Sequence, residues 1–140
     1  GEYNLGMRVE SLVSNPGVIT CLANDINYEN VFSKQIEIKA DLNDLLIVLS
    51  GSGNSPNVIK ALEVANCKGL KTFAILGFDG GECKKIAKRS IHCQVNDMEI
   101  SEDAQMTIFH YLKQCLYSEL IIESNISNKY KKRTNDGLIA

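Results

Sequence analysis

The chain has 140 residues, 44% of them hydrophobic and 23% charged, enough for one globular domain with a proper core. Its formal net charge of −2 recommends no nucleic-acid partner, and the one basic run, Lys129 to Arg133, reads as a solvated tail. No apolar run approaches the roughly 18 residues of a membrane span and no signal peptide is visible; five scattered cysteines without a Cys-x-x-Cys pair point to reduced thiols of the cytoplasm, not to a disulfide framework or zinc ribbon.

In chain order, Met7 to Val13 reads as a strand, followed by a turn at Asn15-Pro16-Gly17. Val18 to Ala23 is a short apolar helix that Asn24-Asp25 ends. Glu29 to Ala40 has helical periodicity, with Val31, Phe32, Ile36 and Ala40 near one face. Leu45 to Ser50 is a strand whose two faces are both apolar, which predicts a central position covered on both sides. Ser55 to Lys68 is a helix with Val58, Ala61, Leu62 and Ala65 at 3-4 spacing, stopped by Gly69. Lys71 to Leu76 is the next strand, Gly77 to Gly81 a loop, Glu82 to Lys88 a short helix, and Ser90 to Val95 a further strand. After a connector at Asn96 to Ser101, a long helix is expected from Glu102 to about Glu123, with Ala104, Ile108, Leu112, Cys115 and Leu116 on one stripe. One domain over 1–123 and a polar tail over 124–140 follow.

Strands alternating with helices imply an α/β fold with a parallel sheet and right-handed crossovers. Ligands of such sheets lie beyond the carboxyl ends of the strands. Ser50 to Ser55 and Phe78 to Gly81 are both there. The first of these loops, Ser50-Gly51-Ser52-Gly53-Asn54-Ser55, leads into Pro56 at a first helical position, after a Ser that can cap. Small residues let loop amides approach an anion, the helix start adds its positive end, and three serine hydroxyls add donors. No Gly-Lys-Ser/Thr closes the loop, so it is not a nucleotide P-loop. The last Gly of a Gly-x-Gly-x-x-Gly fingerprint is also missing. A tight turn with a capping serine is the plain structural alternative.

Leu49 to Ser55 followed by Asn57-Val58-Ile59-Lys60-Ala61 resembles the phosphosugar-binding loop of the sugar isomerase (SIS) domain, and Gly77-Phe78-Asp79-Gly80-Gly81 resembles that domain's next loop. Cys21 to Asp25, Tyr28 and Val31 to Gln35 are similar to a segment of the phosphoheptose isomerase branch. The resemblance runs from about Leu5 to Leu116. It implies a flavodoxin-like three-layer α/β/α sandwich whose usual core is a five-stranded parallel sheet. It also implies a homo-oligomer, dimer or tetramer, with sites between subunits, and conversion of sedoheptulose 7-phosphate to a heptose phosphate for bacterial surface sugars. A relative in the same branch instead binds the replication initiator DnaA, so a non-catalytic phosphosugar-binding or protein-interaction role stands as the alternative.

On this resemblance Ser50, Gly51, Ser52, Asn54 and Ser55 hold the phosphate, Asp25 and Gln105 read sugar hydroxyls, and Glu102, Gln105 and His110 are the catalytic candidates. The family begins with helices, a first strand and a Gly-Asn-Gly-Gly-Ser-like loop followed by a catalytic Glu, which nothing in this chain matches. Truncation, a missing companion segment and a rearranged fold are the three readings of that difference. Eight residues after Gln105, where heptose isomerases carry a His that acts as base or zinc ligand, this chain has Lys113. His110 sits three residues earlier, about 60° round the helix. No metal site is assigned, because the zinc ligand set of relatives looks incomplete here. Moving a proton between C1 and C2 of an open-chain sugar takes a base and an acid within hydrogen-bond reach. Glu102, Asp103, His110 and Asp25 are the available groups. Capping is the other role open to Glu102, Asp103 and Asp25, and a surface position is open to His110. His92, in a strand, reads as structural.

Overall fold

The computed structural model describes residues 7–122. The tail expected over 124–140 and the Lys129–Arg133 run lie outside them. Nine elements follow one another: α1 (Pro16–Asp25), a 3-10 turn (Tyr28–Asn30), α2 (Ser33–Lys39), β1 (Leu45–Ser50), α3 (Pro56–Cys67), β2 (Lys71–Leu76), α4 (Gly81–Ile86), β3 (Arg89–His92) and α5 (Met98–Ile122). The strands form one parallel sheet in the order β1-β2-β3, with Leu45 opposite Lys71 and Phe73 opposite Arg89. Helices lie on both sides of it, as the α/β/α expectation requires.

Local chemistry accounts for the boundaries. Pro56 opens α3 with its φ already helical and no N–H to lose. Gly69 ends that helix at φ 80, a left-handed conformation that glycine takes without a Cβ clash. Asn15 caps α1 by accepting the Val18 N–H at 3.2 Å. Side chains alternate across β1, so Leu46, Val48 and Ser50 face inward. Val48 packs with Leu62 of α3, Ala74 and Leu76 of β2, and Cys83 of α4. A second cluster joins Ile36 of α2 to Ala61, Ala65 and Leu70. Thr72 accepts the Lys88 N–H and donates to Asn66 Oδ1, both at 2.9 Å, which ties β2 to the end of α3 and to the approach to β3.

Four expectations are corrected. Met7 to Val13 forms no strand, and Met7, Val9 and Val13 are exposed. A strand exists only through a partner strand's hydrogen bonds, and among the described residues this segment meets α2 instead, the Gln35 amide donating to the Leu12 carbonyl at 3.0 Å. Among the described residues β1 lies at the edge of the sheet, not at its centre. Its second face is open, with Leu45 57%, Ile47 39% and Leu49 47% exposed. The described sheet has three strands, not the five usual for the family resembled. The last helix begins at Met98, not Glu102, because Asp97 accepts the Ile100 N–H at 3.0 Å as a cap. Glu102 and Asp103 are therefore one turn inside the helix, beyond the reach of its N-terminal charge.

Val9–Gln105 makes one compact unit, which contains the sheet and the start of α5; the helix from Met106 onward belongs to a second. On that second stretch Ile108 and Leu112 are half-buried, while Met106, Cys115 and Leu116 are exposed.

Candidate functional site

The carboxyl ends of the three parallel strands point the same way, and the loops that leave them are bonded together. Ser50, the last residue of β1, is buried and its Oγ accepts the Gly53 N–H at 3.0 Å. Ser52 Oγ accepts the Asn54 N–H at 3.2 Å, and the Asn54 amide returns a bond to the Ser52 carbonyl at 3.1 Å. Asn54 Oδ1 then accepts the Glu82 N–H at 3.0 Å, and the Gly53 carbonyl accepts that of Cys83 at 2.9 Å. The loop after β1 is thus fastened to the first turn of α4.

Gly53 is required here. It sits at φ 67, and a Cβ on it would lie 2.0 Å from the Gly80 carbonyl oxygen. The loop after β2 is bonded in turn to its neighbours: the Gly77 N–H donates to the Gly51 carbonyl at 3.0 Å and the Phe78 N–H to that of Val95 at 3.1 Å. Gly77 leaves room for the buried Ser101 of α5, whose Oγ would be 2.4 Å from an added Cβ.

Within this fastened frame some donors are left over. The N–H groups of Ser52 and Ser55 make no hydrogen bond among the described residues. Ser55 stands at the N-cap of α3, but its hydroxyl makes no capping bond; the Asn57 side chain serves Val58 N instead, at 2.9 Å. Two amides and the Ser52 and Ser55 hydroxyls are therefore available beside the start of a 12-residue helix, a donor set suited to an anion. A cleft of about 470 Å³ opens beside them, lined by Ser52, Asn54, Phe78, Asp79 and Asn96, a size usual for small-molecule sites.

The other predicted site residues do not line this cleft. Asp25 closes α1, where its carboxylate accepts from Cys21 Sγ at 3.4 Å and from the Asn24 amide at 2.8 Å. That hydrogen bond, and after it the negative charge, push the Cys21 thiol above its usual value. Asp25 is no cap: a carboxylate at the C-terminal end of a helix opposes the dipole. Glu102 is exposed on the second turn of α5, and His110 is exposed in the second unit. Gln105 Nε2 is buried and has no hydrogen-bond partner among the described residues. His92 is structural, as expected: Lys84 Nζ donates to its Nδ1 at 2.9 Å, which leaves Nε2–H to donate to the Phe78 carbonyl at 2.8 Å. Among the described residues no three His, Cys, Asp or Glu side chains gather as a metal site.

Phe78, Asp79 and Asn96 are lining residues that the sequence pattern does not single out one by one. Asn96 is hidden because the strand pattern runs on to Val95, whereas β3 ends at His92 and the loop begins sooner.

The sequence matches the SIS domain over residues 6–77. It is 36% identical over 128 residues to the phosphoheptose isomerase of Geobacter sp. (strain M21), covering 89% of this chain and 67% of that protein. It is 36% identical over 132 residues to that of Helicobacter pylori (strain Shi470), covering 92% and 66%. The structure of the phosphoheptose isomerase from Neisseria gonorrhoeae superposes with a TM-score of 0.76 at 27% identity, over 78% of this chain and 61% of that one. One from Francisella tularensis, at 23% identity and a TM-score of 0.74, shares the fold over 76% and 60%. The chain thus spans about two thirds of the length of the curated relatives it matches. With the strand-end loops, the serine-glycine turn and these relatives in agreement, the chain belongs to the SIS domain family, in its phosphoheptose isomerase-like branch.

Proposed function

We propose that the protein binds a phosphorylated sugar and acts as a sedoheptulose 7-phosphate isomerase in bacterial surface-sugar synthesis. The observation that carries this reading is the pair of amide and hydroxyl donors at Ser52 and Ser55 that no described residue takes up, in a loop fastened by its other groups, the Ser52 Oγ among them as acceptor of the Asn54 N–H. Preorganised donors of this kind bind an oxyanion without having to reorganise. Ser50, Gly51 and Asn54 shape the loop; Ser52 and Ser55 face the phosphate.

The isomerisation removes a proton from the carbon beside the carbonyl, passes through an enediol, and returns a proton to the neighbouring carbon while the carbonyl oxygen becomes a hydroxyl. For these transfers we assign Glu102 and His110 as acid–base groups and Gln105 as a hydrogen-bonding partner of the sugar oxygens. A buried amide without a partner, as at Gln105, is a group that a ligand would satisfy. Asp25, at an unfavourable helix end, suits a sugar hydroxyl. We further place the protein in the cytoplasm, as its five free cysteines favour, and in a homo-oligomer. The open face of β1 and the exposed Met106 and Leu116 of α5 support assembly. Among the described residues no helix is long and apolar enough to cross a membrane.

Binding without turnover is the second reading, favoured by Lys113 in the place of the relatives' His. Thermal melting with sedoheptulose 7-phosphate, followed by phosphorus NMR of the mixture, tests both. A raised melting temperature with a new heptose phosphate signal is the expected result. A shift without turnover selects the second reading, and no shift with sugar phosphate or phosphate removes both.

A further inference from the structure

Phe78 lines the cleft from a conformation that bulky residues avoid. Its φ is 45, and left-handed backbone strains a non-glycine residue. The surrounding structure holds it there from both sides of the residue. Its N–H donates to the Val95 carbonyl at 3.1 Å, and its carbonyl accepts from His92 Nε2 at 2.8 Å. His92 is itself set by Lys84 at 2.9 Å. Strain sustained in this way at the mouth of a cleft marks a side chain whose placement is used.

Its neighbours on the same wall supply different chemistry. Asp79 is exposed, and its Oδ1 accepts the Gly81 N–H at 3.0 Å, which leaves Oδ2 for a ligand. Asn96 is exposed and makes no hydrogen bond among the described residues, so its amide offers two donors and an acceptor. An aromatic ring, a carboxylate and an amide around one cleft are poor partners for a second anion, because the carboxylate repels it. They match a neutral chain of C–H and O–H groups, with the ring against carbon and the two polar groups against hydroxyls.

We propose that Phe78, Asp79 and Asn96 read the hydroxylated carbon chain of the phosphosugar whose phosphate the Ser52–Ser55 loop holds. This rests on the phosphosugar reading above and gives the bound ligand a polarity, phosphate toward α3 and polyol toward the loops after β2 and β3. The cleft is then a selector for sugar phosphates over smaller phosphate esters.

Calorimetric titration of the full chain with sedoheptulose 7-phosphate, glycerol 3-phosphate and inorganic phosphate tests it. Phe78→Ala and Asn96→Ala should each weaken sedoheptulose 7-phosphate about tenfold, the loss of one good contact, and leave inorganic phosphate unchanged. Phe78→Tyr should keep the affinity for the sugar. Asn96→Ala removes no internal bond and keeps the test open should Phe78→Ala unfold. Sugar-phosphate affinity within twofold of the unaltered protein in Asn96→Ala and in every folded Phe78 variant overturns the proposal and leaves the phosphate loop standing. An unaltered protein that binds none of the three ligands overturns both.

Discussion

In the loop after β1, polar groups are tied to neighbours by backbone and short side chains. At Asp25, Glu102, Gln105 and His110, the groups proposed for chemistry, none lines the cleft. Gly53, Ser50 and Asn54 of the first region are locked by bonds of 2.9–3.2 Å into α4 and into the loop itself. The second region holds an exposed glutamate, an exposed histidine, an amide with a buried unpaired nitrogen, and an aspartate engaged by a thiol. The donors proposed for phosphate therefore belong to a loop that its own compact unit holds in place. The side chains proposed for proton transfer are exposed or only locally bonded among the described residues. Perturbing the first region should cost stability and binding together, and perturbing the second should separate them.

The largest effect belongs to Gly53→Ala. The methyl group would overlap the Gly80 carbonyl at 2.0 Å, and the left-handed backbone adds strain. A loss on the order of 3 kcal/mol is expected, with phosphate binding abolished in the folded fraction. Urea denaturation measures it, and a midpoint shift below half that size shows that the two loops are less tightly joined. Ser52→Ala comes next and acts on binding. It deletes one donor and the acceptor of the Asn54 N–H, so phosphosugar affinity should fall about tenfold and the melting temperature should fall with it, by less than in Gly53→Ala. Unchanged affinity in calorimetry removes the loop from the site.

Gln105→Met tests the other region. A buried amide left unsatisfied costs about 1–3 kcal/mol, and a thioether of similar shape has no such requirement. The variant should be more stable by about 1 kcal/mol and slower in turnover, the opposite of what a packing residue does. Loss of stability together with an intact rate would show that Gln105 only fills space.

The parts of the fold that sequence made legible are those governed by local signals. Pro56 and Gly69 bracket α3, and apolar runs of strand length delimit β1 and β2 within their observed bounds. The serine-glycine loop was legible for the same reason, since its turn chemistry is contained in six residues. What local pattern does not carry is partnership. Met7 to Val13 has strand composition but pairs with no strand among the described residues, and β1 has a central strand's composition at the edge of the described sheet. Both depend on which strand stands beside which. The start of α5 was readable in principle, because Asp97 is a good cap, but the acidic pair Glu102-Asp103 is a competing start signal one turn later. Phe78 and Asn96 come together only because two loops meet in space.

The smallest effect concerns Asp25, and it asks whether that carboxylate is committed or available. While it accepts from Cys21 Sγ at 3.4 Å, its hydrogen bond and charge hold the thiol above its usual value. The thiolate fraction at pH 8 is therefore depressed and alkylation of Cys21 slowed, while Cys67 and Cys115 are exposed thiols elsewhere on the chain. Asp25→Asn removes the charge, lowers the thiol toward its ordinary value and should raise the Cys21 rate several-fold, with the other two as internal standards by mass spectrometry. A saturating sugar phosphate should move the unaltered protein the same way if its hydroxyl draws Asp25 off the thiol. A Cys21 rate that responds to Asp25→Asn but not to ligand would confine Asp25 to α1 and leave hydroxyl recognition to other residues.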